Sequence, residues 1–171
     1  MNLLPDGAES AALPEEFLRI HIPLHLRWGD LDAYDHVNNV EVMRLLEEAR
    51  VRAFWAPENP DEERPPTAVF VPHTGLLSLI AGHRIEYLRP IDYQRAPLDV
   101  QLWLVRLGGA SAEIGYEVHG SDGLGGELLS ARASSTLVFV DADSMRPRRI
   151  PDAVRAAWAP YVGEPVAFSR S

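Results

Sequence analysis

Polar and hydrophobic residues alternate from Arg19, itself on the polar side, to Arg27. Ile20, Ile22, Leu24 and Leu26 fall on one side and His21, His25 and Arg27 on the other, which predicts a strand with one buried face. Pro23 lies inside this run and has no N–H for a ladder, so it points to a sheet edge or a bulge. From Glu41 to Trp55 the period changes. Val42, Leu45, Leu46, Ala49 and Ala53 recur at helical spacing, widened by Met43 and Phe54, with Arg44, Glu47, Glu48 and Arg52 mostly opposite. Asn38 or Asn39 supplies the start signal, and Glu41, three residues beyond Asn38, makes an Asn variant of the capping box. The Pro-rich acidic stretch A-P-E-N-P-D-E-E-R-P-P, residues 56–66, ends the helix.

Beyond that loop, residues 67–71 read as a short β-prone run, Pro72, His73, Thr74 and Gly75 as a turn, and residues 76–88 as a long strand. Ile85 and Tyr87 alternate with Arg84 and Glu86 near its end. Alternation over 100–105 and 111–119, broken by Gly108 and Gly109, predicts a hairpin. Residues 127–141 follow as a third long strand, with Leu129, Ala131, Ala133, Leu137 and Phe139 on one face; the alanines leave room for a helix to lie close. Residues 152–162 are a short amphipathic segment that caps an edge or end of the sheet. One early helix followed by consecutive antiparallel strands predicts an α+β fold, a curved antiparallel β-sheet wrapped around a central α-helix. A single domain over 16–163 is expected, between a flexible N-terminal tail (1–15) and a C-terminal tail (164–171).

Composition narrows the chemistry. The chain has 171 residues, no cysteine and a formal net charge of -9, and all 16 basic residues are arginine. A nucleic-acid partner needs a basic face, so none is expected. Without cysteine, disulfides, thiolate nucleophiles and Cys-based metal sites are excluded; without lysine, so are Schiff bases and a P-loop lysine. No stretch is long enough to span a membrane, and the first residues lack a basic region and a long apolar run. A cytoplasmic protein that does not bind membranes is expected.

The candidate chemistry concentrates between the first strand and the helix, in R-W-G-D-L-D-A-Y-D-H-V-N-N, residues 27–39. Two carboxylates, an imidazole and two carboxamides there sit on a short connection held at both ends, beside a helix start that favours negative charge. Together with the E-A-R helix, I-E-Y-L-R-P-I and L-V-F-V-D, this stretch resembles the 4-hydroxybenzoyl-CoA thioesterase branch of the hot-dog fold superfamily over residues 19–160. The resemblance implies an acyl-CoA thioesterase in which the second aspartate of D-x-D, Asp32, attacks the thioester carbonyl or activates water to do so. It also implies a polarising backbone N–H at Gly75 and catalytic positioning at the helix start, Asn39. Substrate contacts are expected from His36, Asn38 and Thr74, and from Arg84 and Arg89 as partners for coenzyme A phosphates.

Each residue also has a structural role open to it. Asp30 fits a turn acceptor, Asn38 and Asn39 fit helix caps, and Glu47 and Glu48 fit a solvated or subunit-facing helix side, although another hot-dog branch uses a helix glutamate catalytically. A metal site of Asp32, Asp35 and His36 is rejected, because the three lack the spacing and supporting shell of such sites. No metal or redox cofactor is expected; coenzyme A enters only as part of the substrate. Asp35 stands where many members of the branch have glycine, and aspartate tolerates the left-handed turn this position needs. The competing readings are a non-hydrolytic acyl-thioester-binding protein and a hot-dog hydratase or dehydratase using His36. The resemblance further implies a homodimer or homotetramer with active sites shared between subunits.

Overall fold

The computed structural model describes residues 17–169, so the expected 1–15 tail lies outside the described residues. The opening alternation forms β1 (Ile20–Leu24), whose one sheet neighbour is β3 (Leu98–Leu107), with Pro23 opposite Asp99. Pro23 is therefore on an edge strand, where its missing donor leaves no gap in a ladder. The other elements are α1 (Asn39–Phe54), β2 (Leu76–Tyr87), β4 (Ser111–Ser121), β5 (Glu127–Asp141) and α2 (Asp152–Trp158). The five strands form one antiparallel sheet in the order β1-β3-β4-β5-β2. Register shifts between Ile80 and Gly82, Leu104 and Arg106, and Val118 and His119 bend the strands, which curls the sheet around α1.

The concave face carries the apolar half of each alternation. Val100, Leu102 and Leu104 of β3, Ile114, Tyr116 and Val118 of β4, and Ala131, Ala133, Leu137 and Phe139 of β5 are all buried. Against them α1 turns Val42, Leu45, Leu46, Ala49, Ala53 and Phe54. At the far end of α1 the Trp158 indole of α2 closes the core, with ring centroids 4.8 Å from Phe54 and 5.9 Å from Phe139. Residues 67–71 depart from the expected strand. Thr67, Ala68 and Phe70 are buried, but only Phe70 makes an isolated bridge, to Trp55. Their polar groups have other partners: Trp158 Nε1 donates to the Thr67 carbonyl at 2.8 Å and Thr67 Oγ1 to the Ala53 carbonyl at 2.6 Å. The exposed edge on this side is β2 alone.

The convex face is charged and strapped. Trp103 lies flat over Gly115, where a Cβ would come within 2.6 Å of the indole, and its Nε1 donates to the Glu164 carbonyl at 2.7 Å. From there residues 164–169 cross the sheet: Phe168 stacks on Arg84, and the Ser169 N–H donates to Glu86 on β2. The residues assigned by sequence to the C-terminal tail are thus pinned to the sheet as far as 169.

Glu117 is the hub of this face, 2.7 Å from Arg19, 3.1 Å from His119 and 4.0 Å from Arg132. The hydrogen bond from His119, with the hydrogen bond and charge of Arg19, outweighs burial and holds its carboxyl down at about 2 from an ordinary 4.5. A depressed carboxylate stabilises the fold fully above its unfolded pKa and loses that contribution as pH falls through its folded one. Glu117→Gln is therefore expected to cost roughly 1–2 kcal/mol at neutral pH, after solvent screening. Thermal melts of both proteins should show this gap closing as pH falls from 4.5 towards 2. A gap that widens in acid contradicts the assignment.

Candidate active site

The connection from β1 to α1 is held by a buried acid. Asp30 accepts from the Arg27 N–H at 2.8 Å, from Arg27 Nε at 3.0 Å and Nη2 at 2.8 Å, and from Arg44 Nη2 on α1 at 3.3 Å. Burial pushes its pKa up, but the Arg27 hydrogen bonds and the charges of Arg27 and Arg44 prevail and hold it below the usual carboxylate value. The backbone doubles this anchor. The Asn38 N–H donates to the Asp30 carbonyl at 2.9 Å, Asp32 to His36 at 2.8 Å, and Val37 to Ile91 at 2.8 Å. Asp35 sits at φ 63, in the left-handed region, and its N–H closes the turn onto the Asp32 carbonyl at 3.2 Å. Aspartate has taken the conformation that glycine adopts most freely.

This turn fixes one half of the Asp32 carboxylate. Oδ1 accepts from the Tyr34 N–H at 2.8 Å and from the His36 N–H at 3.3 Å, while Oδ2 takes no hydrogen bond among the described residues. One oxygen is held and the other is left unpaired among the described residues. The helix start beside it is capped by Asn38, whose Oδ1 accepts from the Val40 N–H at 2.9 Å and whose carbonyl accepts from Val42 at 3.0 Å. The Asn39 N–H has no protein acceptor among the described residues, as the first turn of a helix allows. The expected capping box does not form: the Asn38 N–H is committed to Asp30, and the Glu41 carboxylate is drawn to Arg44 and Arg27.

The surface around the turn is apolar and open. Trp28, Tyr34, Val40, Tyr87, Leu88 and Tyr93 are exposed, Trp28 packs edge-on against Tyr93 at 5.2 Å, and the Tyr87 hydroxyl lies 3.5 Å from the Asn39 carbonyl. Tyr87 escaped the sequence reading as a site residue. Its signal was its phase, since it alternates with Ile85 onto the concave face at the end of β2 nearest the helix start.

The predicted site residues separate into two groups, with Arg84 apart from both. Asp32, His36, Asn38 and Asn39 share the turn, with His36 Nε2 3.6 Å from Asp92. Arg89 is nearby, its N–H donating to Ser130 two residues before Ile91 joins Val37. Thr74 and Gly75 lie at the other end of β2, about 40 Å away along the strand. There Gly75, at φ 80, accepts from the Ala142 N–H at 2.9 Å, and Thr74 Oγ1 donates to the Val71 carbonyl at 3.0 Å. Within one chain Gly75 does not reach Asp32. Arg84 is on the convex face, its guanidinium 4.0 Å over the Phe168 ring, and faces away from the turn. Among the described residues no group of three His, Asp or Glu is placed to hold a metal ion, and no helix is long and apolar enough to cross a membrane.

Two cavities lie apart from the turn. The larger, about 1150 Å³, opens between β1, the Glu48 and Arg52 side of α1 and the 56–66 loop. The smaller, about 370 Å³, lies between the second half of α1 and the start of β2 and is lined by Arg50, Phe54, Phe70, Ile80, Leu137 and Trp158, among others.

Comparison with known proteins places this architecture. A candidate thioesterase from Pseudomonas aeruginosa shares 30% identity and a TM-score of 0.62, covering 81% of this chain and 95% of its own. A second Pseudomonas aeruginosa protein has 24% identity and a TM-score of 0.67 over 86% of this chain and 94% of its own. A predicted thioesterase from Bacillus stearothermophilus has 21% identity and a TM-score of 0.66 over 86% and 99%. No curated protein sequence matches the chain. The fold these structures share is the hot-dog fold. With the pattern of the family matching residues 26–158, from the connection just after β1 to the tryptophan that closes the core, the chain belongs to the thioesterase-like superfamily.

Proposed function

We propose that the protein is an acyl-CoA thioesterase of the 4-hydroxybenzoyl-CoA type, acting through Asp32. One observation carries this reading: a carboxylate with Oδ1 fixed by two backbone N–H groups and Oδ2 unpaired, on the turn that leads into an uncommitted helix-start N–H at Asn39. The free oxygen attacks the thioester carbonyl, or takes a proton from the water that does. Negative charge develops on the carbonyl oxygen, where an aligned N–H stabilises it. The C–S bond breaks, the thiolate takes up a proton, and addition of one water overall yields the free acid and coenzyme A thiol. The competing classes are a non-hydrolytic binder and a hydratase, and an acyl-CoA panel separates them. Hydrolysis releases thiol, hydration releases none, and a binder gives only a binding signal. The half-buried Glu48, held by Arg52 at 2.6 Å, is not part of this machinery, so Glu48→Gln is expected to retain most of the activity; its collapse would move the carboxylate role to the helix.

The reading includes a twofold dimer through β2. This strand is an unpaired edge with Leu79 exposed, a liability that proteins cover. Pairing with its mate about the midpoint, between Ala81 and Gly82, sets Gly75 of one subunit opposite Leu88 of the other. Leu88 adjoins Tyr87, whose hydroxyl reaches Asn39, so each site gains the other subunit's Gly75. Light scattering at micromolar concentration is expected to give at least the dimer mass. Mixing Asp32→Asn subunits with Gly75→Ala subunits, with exchange confirmed, is expected to restore activity. An active monomer refutes the dimer, and failure to restore refutes sharing.

A further inference from the structure

The core under α1 holds a cation that its surroundings leave incompletely paired. Arg50 is only 8% exposed, yet it lies on the buried stripe of the helix, one turn from both Leu46 and Phe54. Its Nη1 donates to the Tyr116 hydroxyl at 3.5 Å, and its Nη2 stands 3.5 Å from the Glu47 carboxylate without forming a hydrogen bond. A guanidinium carries five N–H donors in a planar fork that fits a carboxylate with two parallel bonds. Here, among the described residues, one hydroxyl at the limit of bonding distance and one distant, 69% exposed carboxylate leave most of that fork to water or to a ligand. A buried charge is costly unless it is well paired.

The fork faces a space of suitable character. Arg50 lines the cavity of about 370 Å³, and apart from Glu47 and Ser78 the rest of that wall is apolar: Val51, Phe54, Trp55, Phe70, Leu79, Ile80, Leu137 and Trp158. An anion that reached Arg50 there would be paired away from water, where charge-assisted bonds are strongest. Behind the guanidinium, Tyr116 is fully buried, and burial raises its pKa, so it stays a neutral hydroxyl that holds Arg50 in place.

We infer that this cavity receives the far end of the acyl group and that Arg50 binds a carboxylate on it, making ω-carboxyacyl thioesters the preferred substrate class. The inference rests on the thioesterase reading and on the β2 dimer for the route. In that dimer the thioester held at Asn39 of the partner subunit lies beside Gly75. From Gly75 the concave face of β2 runs through Leu76 to Ser78 at the cavity wall, about 10 Å along the strand. The acyl body rests on the aromatic wall, its carboxylate takes the Arg50 fork, and Glu47 turns out to solvent.

Binding tests this independently of turnover. Two non-hydrolysable coenzyme A thioethers of equal chain length, one ending in a carboxylate and one in a methyl group, are titrated calorimetrically into the wild-type protein. The carboxylate ligand is expected to bind about ten- to a hundredfold more tightly, the worth of a charge-assisted hydrogen bond. Arg50→Met should abolish the preference and Arg50→Lys should retain part of it. Glu47→Gln, which removes the competing carboxylate, should strengthen binding of the carboxylate ligand severalfold. Equal binding of the two ligands by the wild-type protein overturns the inference without need of a variant, as does a preference that survives in folded Arg50→Met. Thiol release from the matching thioesters is scored separately. A carboxylate preference in binding with no thiol release supports the subsite and overturns the thioesterase reading.

Discussion

Asp32→Asn is expected to lower thioester hydrolysis at least about a hundredfold while leaving the fold intact, the scale of losing a positioned base or nucleophile. The structural half of the side chain survives the change. Oδ1 accepts the Tyr34 and His36 N–H groups, and an amide oxygen can accept both as well. The reactive half does not survive, since the unpaired Oδ2 becomes an amide nitrogen, which neither attacks a carbonyl nor takes a proton from water. Steady-state thiol release with circular dichroism on the same sample checks both parts. Near-wild-type hydrolysis by folded Asp32→Asn removes Asp32 from the mechanism.

Asp30→Ala is expected to act on the fold instead, costing about 3 kcal/mol, towards the lower end of what breaking a buried ion pair costs because Arg27 and Arg44 stay hydrated. The carboxylate is fully buried and takes four hydrogen bonds, two from the Arg27 side chain, one from the Arg27 N–H and one from Arg44. Its removal leaves a polar hole between the turn and α1 and frees the segment that carries Asp32. Chemical denaturation should show the stability loss. Activity should fall through misplacement of Asp32, and saturating substrate should not restore it. Wild-type stability would mean that the arginines, and not Asp30, hold the turn.

The contrast between these two aspartates shows what was legible in the chain. The turn-acceptor role expected of Asp30 is what its hydrogen bonds show, whereas the role of Asp32 came from the family resemblance and rests on the experiment above. Alternation placed the strands, because each strand buries one face against a single helix. Propensity failed at residues 67–71, which read as a strand, but Thr67 spends its polar groups on Trp158 and Ala53 and, among the described residues, Phe70 pairs only with Phe54 and Ala56 at the end of α1. The capping box failed for the same reason, as Arg27 and Arg44 compete for Glu41. Arg50 carried a signal that went unread: a charge four residues from Leu46 and four from Phe54 lies on the buried stripe. The separation of Gly75 from Asp32 follows from the length of β2, which runs from one residue to the neighbourhood of the other.

The central claim is that this turn hydrolyses thioesters, and product stoichiometry tests it most directly. Incubating the wild-type protein with an acyl-CoA, and quantifying thiol and free acid in the same reaction, is predicted to give the two in equal amounts, at a rate proportional to protein and far above the buffer blank. Binding of the acyl-CoA with neither product formed, across aromatic, aliphatic and ω-carboxylated acyl groups, would contradict the account.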